Sequence, residues 1–200
     1  MVNINPQKLT GNWTKGFALD IHTLSSTFVG YDEFGHEVFD TKRSELGELL
    51  YRLKYGADQS VLNNIVDTVV DYLTNSWRIV QSLNLIVPVP PSDTNRRSQP
   101  VLEVARGIGS RTKIPVLEDA LVKVKQTLQL KNVYDYQKRA ELLSGAFTSQ
   151  ASLVQGKTVL LLDDLYRSGA TLNAVSRVLR DEGHIAAIYV LALTKTRSKT

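Results

Sequence analysis

The stretch Val159-Leu160-Leu161-Leu162-Asp163-Asp164-Leu165-Tyr166-Arg167-Ser168-Gly169-Ala170-Thr171-Leu172 constrains this chain more than any other. Four apolar residues in a row fit a strand covered on both faces, as in a parallel sheet. Two adjacent carboxylates, Asp163 and Asp164, are expected to end that strand. A short polar loop with one glycine follows. Thr171 is then expected to open an amphipathic helix over 171–182, with Gly183 as its C-cap. In an open α/β sheet, ligands sit beyond the carboxyl ends of strands. A helix N-terminus there offers free backbone N–H groups and the positive end of its dipole. The segment thus sets an anion cradle beside two acids that accept hydrogen bonds from hydroxyls. That pairing suits a sugar phosphate.

The rest of the chain alternates strands with helices, which argues for a parallel sheet flanked by helices. Residues 85–93 read as an apolar strand running into Pro88, Pro90 and Pro91. A helix over 98–110 buries Val101, Leu102, Val104, Ala105 and Ile108, and short strands are expected at 114–117 and 185–193. Earlier, 17–21 and 26–31 read as strands, with a turn at 32–36 and a return at 37–39, forming an antiparallel hairpin or small meander. Ser44 can cap a helix that carries Leu46, Leu49, Leu50 and Leu53 inward and ends on Gly56. A second helix is expected over 59–77. The expected division is a hood-like N-terminal part, 1–80, and an α/β core, 81–200, together forming one compact unit.

The chain has no cysteine. That excludes a disulfide framework, a cysteine-ligated zinc site and a cysteine nucleophile. Residues 1–12 are polar and read as frayed, with no visible signal peptide. No apolar run is long enough to span a bilayer, so a soluble, cytoplasmic protein without membrane contact is expected. Charge is uneven: residues 1–95 carry a net −4, residues 96–139 +6 and residues 140–200 +2. A local positive field draws phosphate-rich ligands, whether small molecules or nucleic acid. Asp20, His22 and Asp40 could meet as a metal site, against the plainer reading of surface or core polar groups.

The apolar strand, the acidic pair and the loop ending Ser168-Gly169-Ala170-Thr171 resemble the phosphoribosyl-pyrophosphate loop of type I phosphoribosyltransferases. Within that family the chain is most similar to the ComF-like branch. The resemblance implies that Asp163 and Asp164 grip the ribose hydroxyls and bear on a metal indirectly, through the ligand. It implies that Tyr166, Arg167, Ser168, Gly169, Ala170 and Thr171 hold the 5′-phosphate. Pro91, Ser92 and the following residues resemble the pyrophosphate loop, with Arg96 and Arg97 as cationic partners, and a cis bond before Pro90 or Pro91 would fit there. Thr127, Gln129, Arg139 and Phe147 match the family's mobile loop. Arg167 departs from the small or acidic residue usual at its position. It is retained as a catalytic candidate with the two acids. The cysteine-rich zinc module usual in the ComF-like branch is absent, replaced by the hairpin.

By the resemblance, the chain binds phosphoribosyl pyrophosphate with Mg²⁺. It would transfer the phosphoribosyl group to a nitrogen nucleophile with release of pyrophosphate. Two alternatives stand beside it. One is a non-catalytic sensor of phosphoribosyl pyrophosphate or a nucleotide. The other is a nucleic-acid-associated protein using the basic middle third, since ComF-like members are linked with DNA uptake. Homo-oligomerisation is a further expectation.

Overall fold

The computed structural model describes residues 1–93, 97–125 and 136–197. The N-terminal elements are β1 (Gln7–Leu9), β2 (Lys15–Ile21), β3 (Thr23–Tyr31), β4 (Glu37–Arg43) and α1 (Glu45–Gly56). A 3-10 turn at Gln59–Val61 leads into α2 (Leu62–Asp71) and a π turn at Tyr72–Ser76. Then come β5 (Leu85–Pro88), α3 (Pro100–Thr112), β6 (Leu121–Lys123), α4 (Tyr136–Leu143), β7 (Phe147–Ser149) and α5 (Ala151–Val154). The chain closes with β8 (Thr158–Tyr166), α6 (Ala170–Asp181) and β9 (Ala187–Lys195).

Five strands form the main sheet in the order β1-β2-β9-β8-β5. The pairs β2–β9, β9–β8 and β8–β5 are parallel, and β1 joins the edge antiparallel. Val116 adds one parallel bridge to Ile86, all that forms of the strand expected at 114–117. The period-two alternation of strand side chains divides the core into two layers. Leu160, Leu162, Leu191 and Leu193 pack with residues of α1, α2 and α3 on one face. Val159, Leu161, Ile188 and Val190 pack with α5 and α6 on the other. This is the expected α/β architecture. Truncating any one of these leucines to alanine would cost about 2–5 kcal/mol.

The N-terminal strands differ from expectation. Residues 17–21 do not belong to the hairpin. They form β2, inside the sheet, with Phe17 opposite Leu191. Leu19 faces one core layer and Ala18 the other, so the strand is apolar on both sides and suits an inner position. The hairpin is β3–β4 alone, and its return strand runs on to Arg43.

The helix expected over 59–77 is broken. Asp58 caps the 3-10 turn by accepting from Ser60 N–H at 3.0 Å. At the other end Trp77 N–H bonds Tyr72 O at 2.8 Å, a five-residue step. The wider turn lays Trp77 on Phe17, with ring centroids 4.9 Å apart, and against Tyr189 at 5.8 Å. Burial in this cluster pushes the Tyr72 hydroxyl up to about 12.

Both glycine C-caps fall one residue short. The left-handed positions belong to Ala57 and His184, each at φ 49°. Gly183 serves a different need: a Cβ there would stand 2.5 Å from Leu179 O. The strand expected over 85–93 stops at Pro88, where the prolines begin to withhold N–H donors.

Candidate functional site

β8 does not end at the acids. It stays paired with β9 through Leu165–Thr194 and Tyr166–Lys195. Asp163 and Asp164 therefore sit within a strand, and their side chains leave on opposite faces of the sheet. Each enters a different neighbourhood.

Asp163 lies on the α6 face, in a small recess it shares with Arg139, Tyr166, Arg167, Ser168 and Thr171. The loop is shaped by Gly169, at φ 77° just ahead of α6. A Cβ at Gly169 would stand 2.8 Å from Tyr166 Oη, so only glycine fits under that ring. No side chain caps the start of α6. Its first N–H groups are left to the recess, with Ala170 buried beneath them. Ser168 Oγ is also buried here and has no hydrogen-bond partner among the described residues.

Two charged groups complete the recess. Arg139, carried in by α4 packing on α6, is only 8% exposed. Burial, and then the nearby Arg167, lower the pKa of its guanidinium. The Asp163 carboxyl is pushed up to about 7, chiefly by burial and then by the charge of Asp164. It accepts a hydrogen bond from Asp164 N–H at 2.9 Å. Near neutral pH it is therefore poised between its protonated and charged forms.

Asp164 lies on the α1 face, where the Lys54 ammonium pairs with Oδ2. Thr194 Oγ1 donates to the Asp164 carbonyl at 3.1 Å. His22 Nδ1 lies 3.1 Å from the same hydroxyl. Since that hydroxyl proton is already committed, His22 Nδ1–H is the donor of the second bond. Burial, and then Arg43 and Lys54, depress the His22 imidazole below its usual range.

The second loop starts beside the first. Val89 N–H donates to Leu162 O at 2.8 Å, one residue ahead of Asp163. Pro91 is half-buried and Ser92 exposed. All peptide bonds among the described residues are trans, so the expected cis bond before Pro90 or Pro91 is not found. The loop is pinned further on. Gln99 Nε2 donates to Asp93 O at 2.9 Å, and Glu103 Oε1 accepts from Ser98 Oγ and Gln99 N–H. Arg97 is exposed, and Arg96 lies outside the described residues, as do Thr127 and Gln129. Phe147 is buried in the core layer behind α6.

The structure thus gathers Asp163, Tyr166, Arg167, Ser168, Gly169, Ala170 and Thr171 in one recess. It turns Asp164 away, and sets Pro91 and Ser92 on the neighbouring strand end. Sequence reasoning missed Lys54, against Asp164; it matched Arg139 to the family's mobile loop without placing it inside the recess. A lysine beside a buried leucine on α1 carried no signal of what it would face across the sheet. Among the described residues no group of three or more metal-ligating side chains forms, so Asp20, His22 and Asp40 make no metal centre there. A larger depression of about 470 Å³, lined by Met1, Asp67, Val70, Asp71, Thr74 and Asn75, shares no residue with the recess. Among the described residues no helix is long and apolar enough to cross a membrane.

No family model and no curated protein matches the sequence. Among solved structures, the chain is similar to adenine phosphoribosyltransferase from Saccharomyces cerevisiae, complexed with an imino-altritol bisphosphate and adenine. The identity is 11%, over 86% of this chain and 84% of that one, with a TM-score of 0.49. It is similar to adenine phosphoribosyltransferase from Trypanosoma brucei, in complex with AMP, pyrophosphate and ribose-5-phosphate. There the identity is 12%, over 96% and 87% of the two chains, at 0.46. It is also similar to UMP synthase from Leishmania donovani at 15% identity, over 83% of this chain and 28% of that one, at 0.42.

Proposed function

We infer that this chain binds phosphoribosyl pyrophosphate in the manner of a type I phosphoribosyltransferase, of the ComF-like kind. The observation that carries the reading is the recess itself. A helix start without a side-chain cap, a buried serine oxygen with no partner among the described residues and a buried arginine converge beside one protonatable carboxyl. Donors and positive charge so placed suit an anion, and the carboxyl suits hydroxyls.

In this reading the 5′-phosphate accepts from Ser168 Oγ, Thr171 Oγ1 and the first N–H groups of α6, with Arg139 and Arg167 balancing its charge. Asp163 accepts from a ribose hydroxyl. A nitrogen nucleophile attacks the anomeric carbon as the carbon–oxygen bond to pyrophosphate breaks and its electron pair leaves with pyrophosphate. Arg97 and the Pro91–Ser92 loop receive that leaving group at the neighbouring strand end, where positive charge lowers the barrier. Mg²⁺ fits the donor set, since it binds through one or two carboxylates and substrate phosphates rather than a full protein cage. Asp163 would hold it through the ligand, and bound there it would neutralise charge on the leaving pyrophosphate; Asp164, on the other face, is turned away from it.

One observation favours the sensor reading beside the enzyme. Asp164 is already engaged by Lys54, which leaves one acid rather than two for the ribose. Calorimetric titration of phosphoribosyl pyrophosphate with Mg²⁺ into wild type and Asp163→Ala decides the central point. Saturable binding by the wild type, weakened at least tenfold in the variant, is expected. A wild type that binds no donor ends the proposal. Pyrophosphate release screened over bases and amines then separates enzyme from sensor.

A further inference from the structure

The recess presents an acid and, two residues on, a leucine. Asp163 and Leu165 both line it, and Asp164 between them does not. That is the period-two alternation of a strand that stays paired as far as Tyr166–Lys195. Asp163 and Leu165 stand about 7 Å apart along one face. Asp164 is engaged on the other. Lys54 pairs with its carboxylate, and Thr194 Oγ1 donates to its carbonyl at 3.1 Å.

A pentose ring with two neighbouring hydroxyls therefore meets one carboxylate and one apolar wall. Asp163 Oδ1 already accepts from Asp164 N–H at 2.9 Å, which favours contact with one hydroxyl over a grip on both. The Ser168 and Thr171 hydroxyls lie on the loop and at the start of α6, with the phosphate. The arm bearing the 5-phosphate leaves the ring at the carbon next to the 3-hydroxyl. With the phosphate on the first N–H groups of α6, the 3-hydroxyl is the one held close to the recess and to Asp163. The 2-carbon has no second carboxylate beside it, and the next side chain on this face is Leu165.

We propose that the site holds its pentose by the 3-hydroxyl and leaves the 2-position unread, so that 2-deoxyribose 5-phosphates bind as well as ribose 5-phosphates. The inference rests on the phosphoribosyl reading above and adds the sugar class to it. A site built to bond a hydroxyl rejects the analogue that lacks it by orders of magnitude, whereas an apolar wall discriminates weakly. Here the wall is Leu165, and the acid that would have read the second hydroxyl is held by Lys54 across the sheet.

Calorimetric titration of ribose 5-phosphate, 2-deoxyribose 5-phosphate and inorganic phosphate into the full chain tests the proposal. The two sugar phosphates are expected to bind within about threefold of each other. Inorganic phosphate should bind about tenfold more weakly, the weight of one lost hydrogen bond to a charged group. Asp163→Ala should weaken both sugar phosphates by the same factor, about tenfold, because each loses the same contact. A wild type that binds ribose 5-phosphate but holds the deoxy sugar more than about threefold less tightly overturns this proposal and leaves the phosphoribosyl reading standing. So does an Asp163→Ala protein whose loss is markedly larger for ribose than for deoxyribose, since Asp163 then reads the 2-hydroxyl as well. Inorganic phosphate that matches the sugars in affinity also overturns it. Binding of neither sugar phosphate overturns both readings together. Should Asp163→Ala fail to fold, the wild-type comparison decides.

Discussion

Replacing Asp163 with Asn should stabilise the protein in alkali and leave it unchanged in acid. The Asp163 carboxyl is shifted from its ordinary 3.8 up to about 7 in the fold, chiefly by burial. Between those two values the folded chain keeps a proton that the unfolded chain has released. The stabilisation from this group is therefore complete below about pH 4 and is lost as pH rises through 7. Each pH unit carries about 1.4 kcal/mol, so a shift of roughly three units gives an upper bound of about 4 kcal/mol. The side chain is only half-buried, and solvent on its open side brings the expected figure nearer 2 kcal/mol. Asparagine stays uncharged and keeps an oxygen for Asp164 N–H. Urea denaturation of both proteins at steps from about pH 4 to 8.5 measures the difference. His22 pulls the other way: its depressed pKa gives stability that is lost in acid. That effect is common to both proteins and cancels in the difference. A difference that is flat across the range, or a variant weaker than wild type at pH 8.5, would refute the reasoning.

Other perturbations have equally definite outcomes. Ser168→Ala should leave stability within about 0.5 kcal/mol, because the hydroxyl has no partner among the described residues to lose. Calorimetry should show its phosphoribosyl pyrophosphate affinity reduced about tenfold, the weight of one hydrogen bond to a charged group. Gly169→Ala should cost about 1–3 kcal/mol in denaturant melts, from φ 77° and the Tyr166 ring, and should weaken donor binding as well. Lys54→Met strands Asp164 on a partly buried face. A loss of about 1–3 kcal/mol is expected in the same melts, below the full cost of breaking a deeply buried pair.

Local signals were more legible in the sequence than strand pairing. The run from Val159 to Leu172 announced strand, loop and helix because all three signals are local: apolar continuity, one glycine and helical periodicity. Where the strand ends was not legible. Leu165 and Tyr166 stay in the ladder because β9 runs alongside them, and pairing with a distant strand leaves no local mark. The consequence for function is large, since the continued strand sends the two neighbouring side chains toward opposite faces of the sheet. β2 was misplaced for a related reason. Phe17 to Ile21 carry strand propensity, and the nearby turn residues suggested a neighbour close in sequence. The actual partner lies more than 170 residues on. Arg139 matches the family's mobile loop in sequence, which says nothing of where its side chain packs. Only the packing of α4 on α6 shows that it is buried beside the loop.

Asp163 and Asp164 share one peptide unit yet belong to different rooms of the protein. The charge on Asp164 raises the proton affinity of Asp163, so the two sides of the strand are linked in free energy. Whatever strips the proton from Asp163 on the α6 side alters the energy of the Lys54 contact on the α1 side. The strand thus works as a partition with a message slot. Occupancy of the loop is legible at α1 and at the root of the β3–β4 hairpin without any movement of the sheet between them.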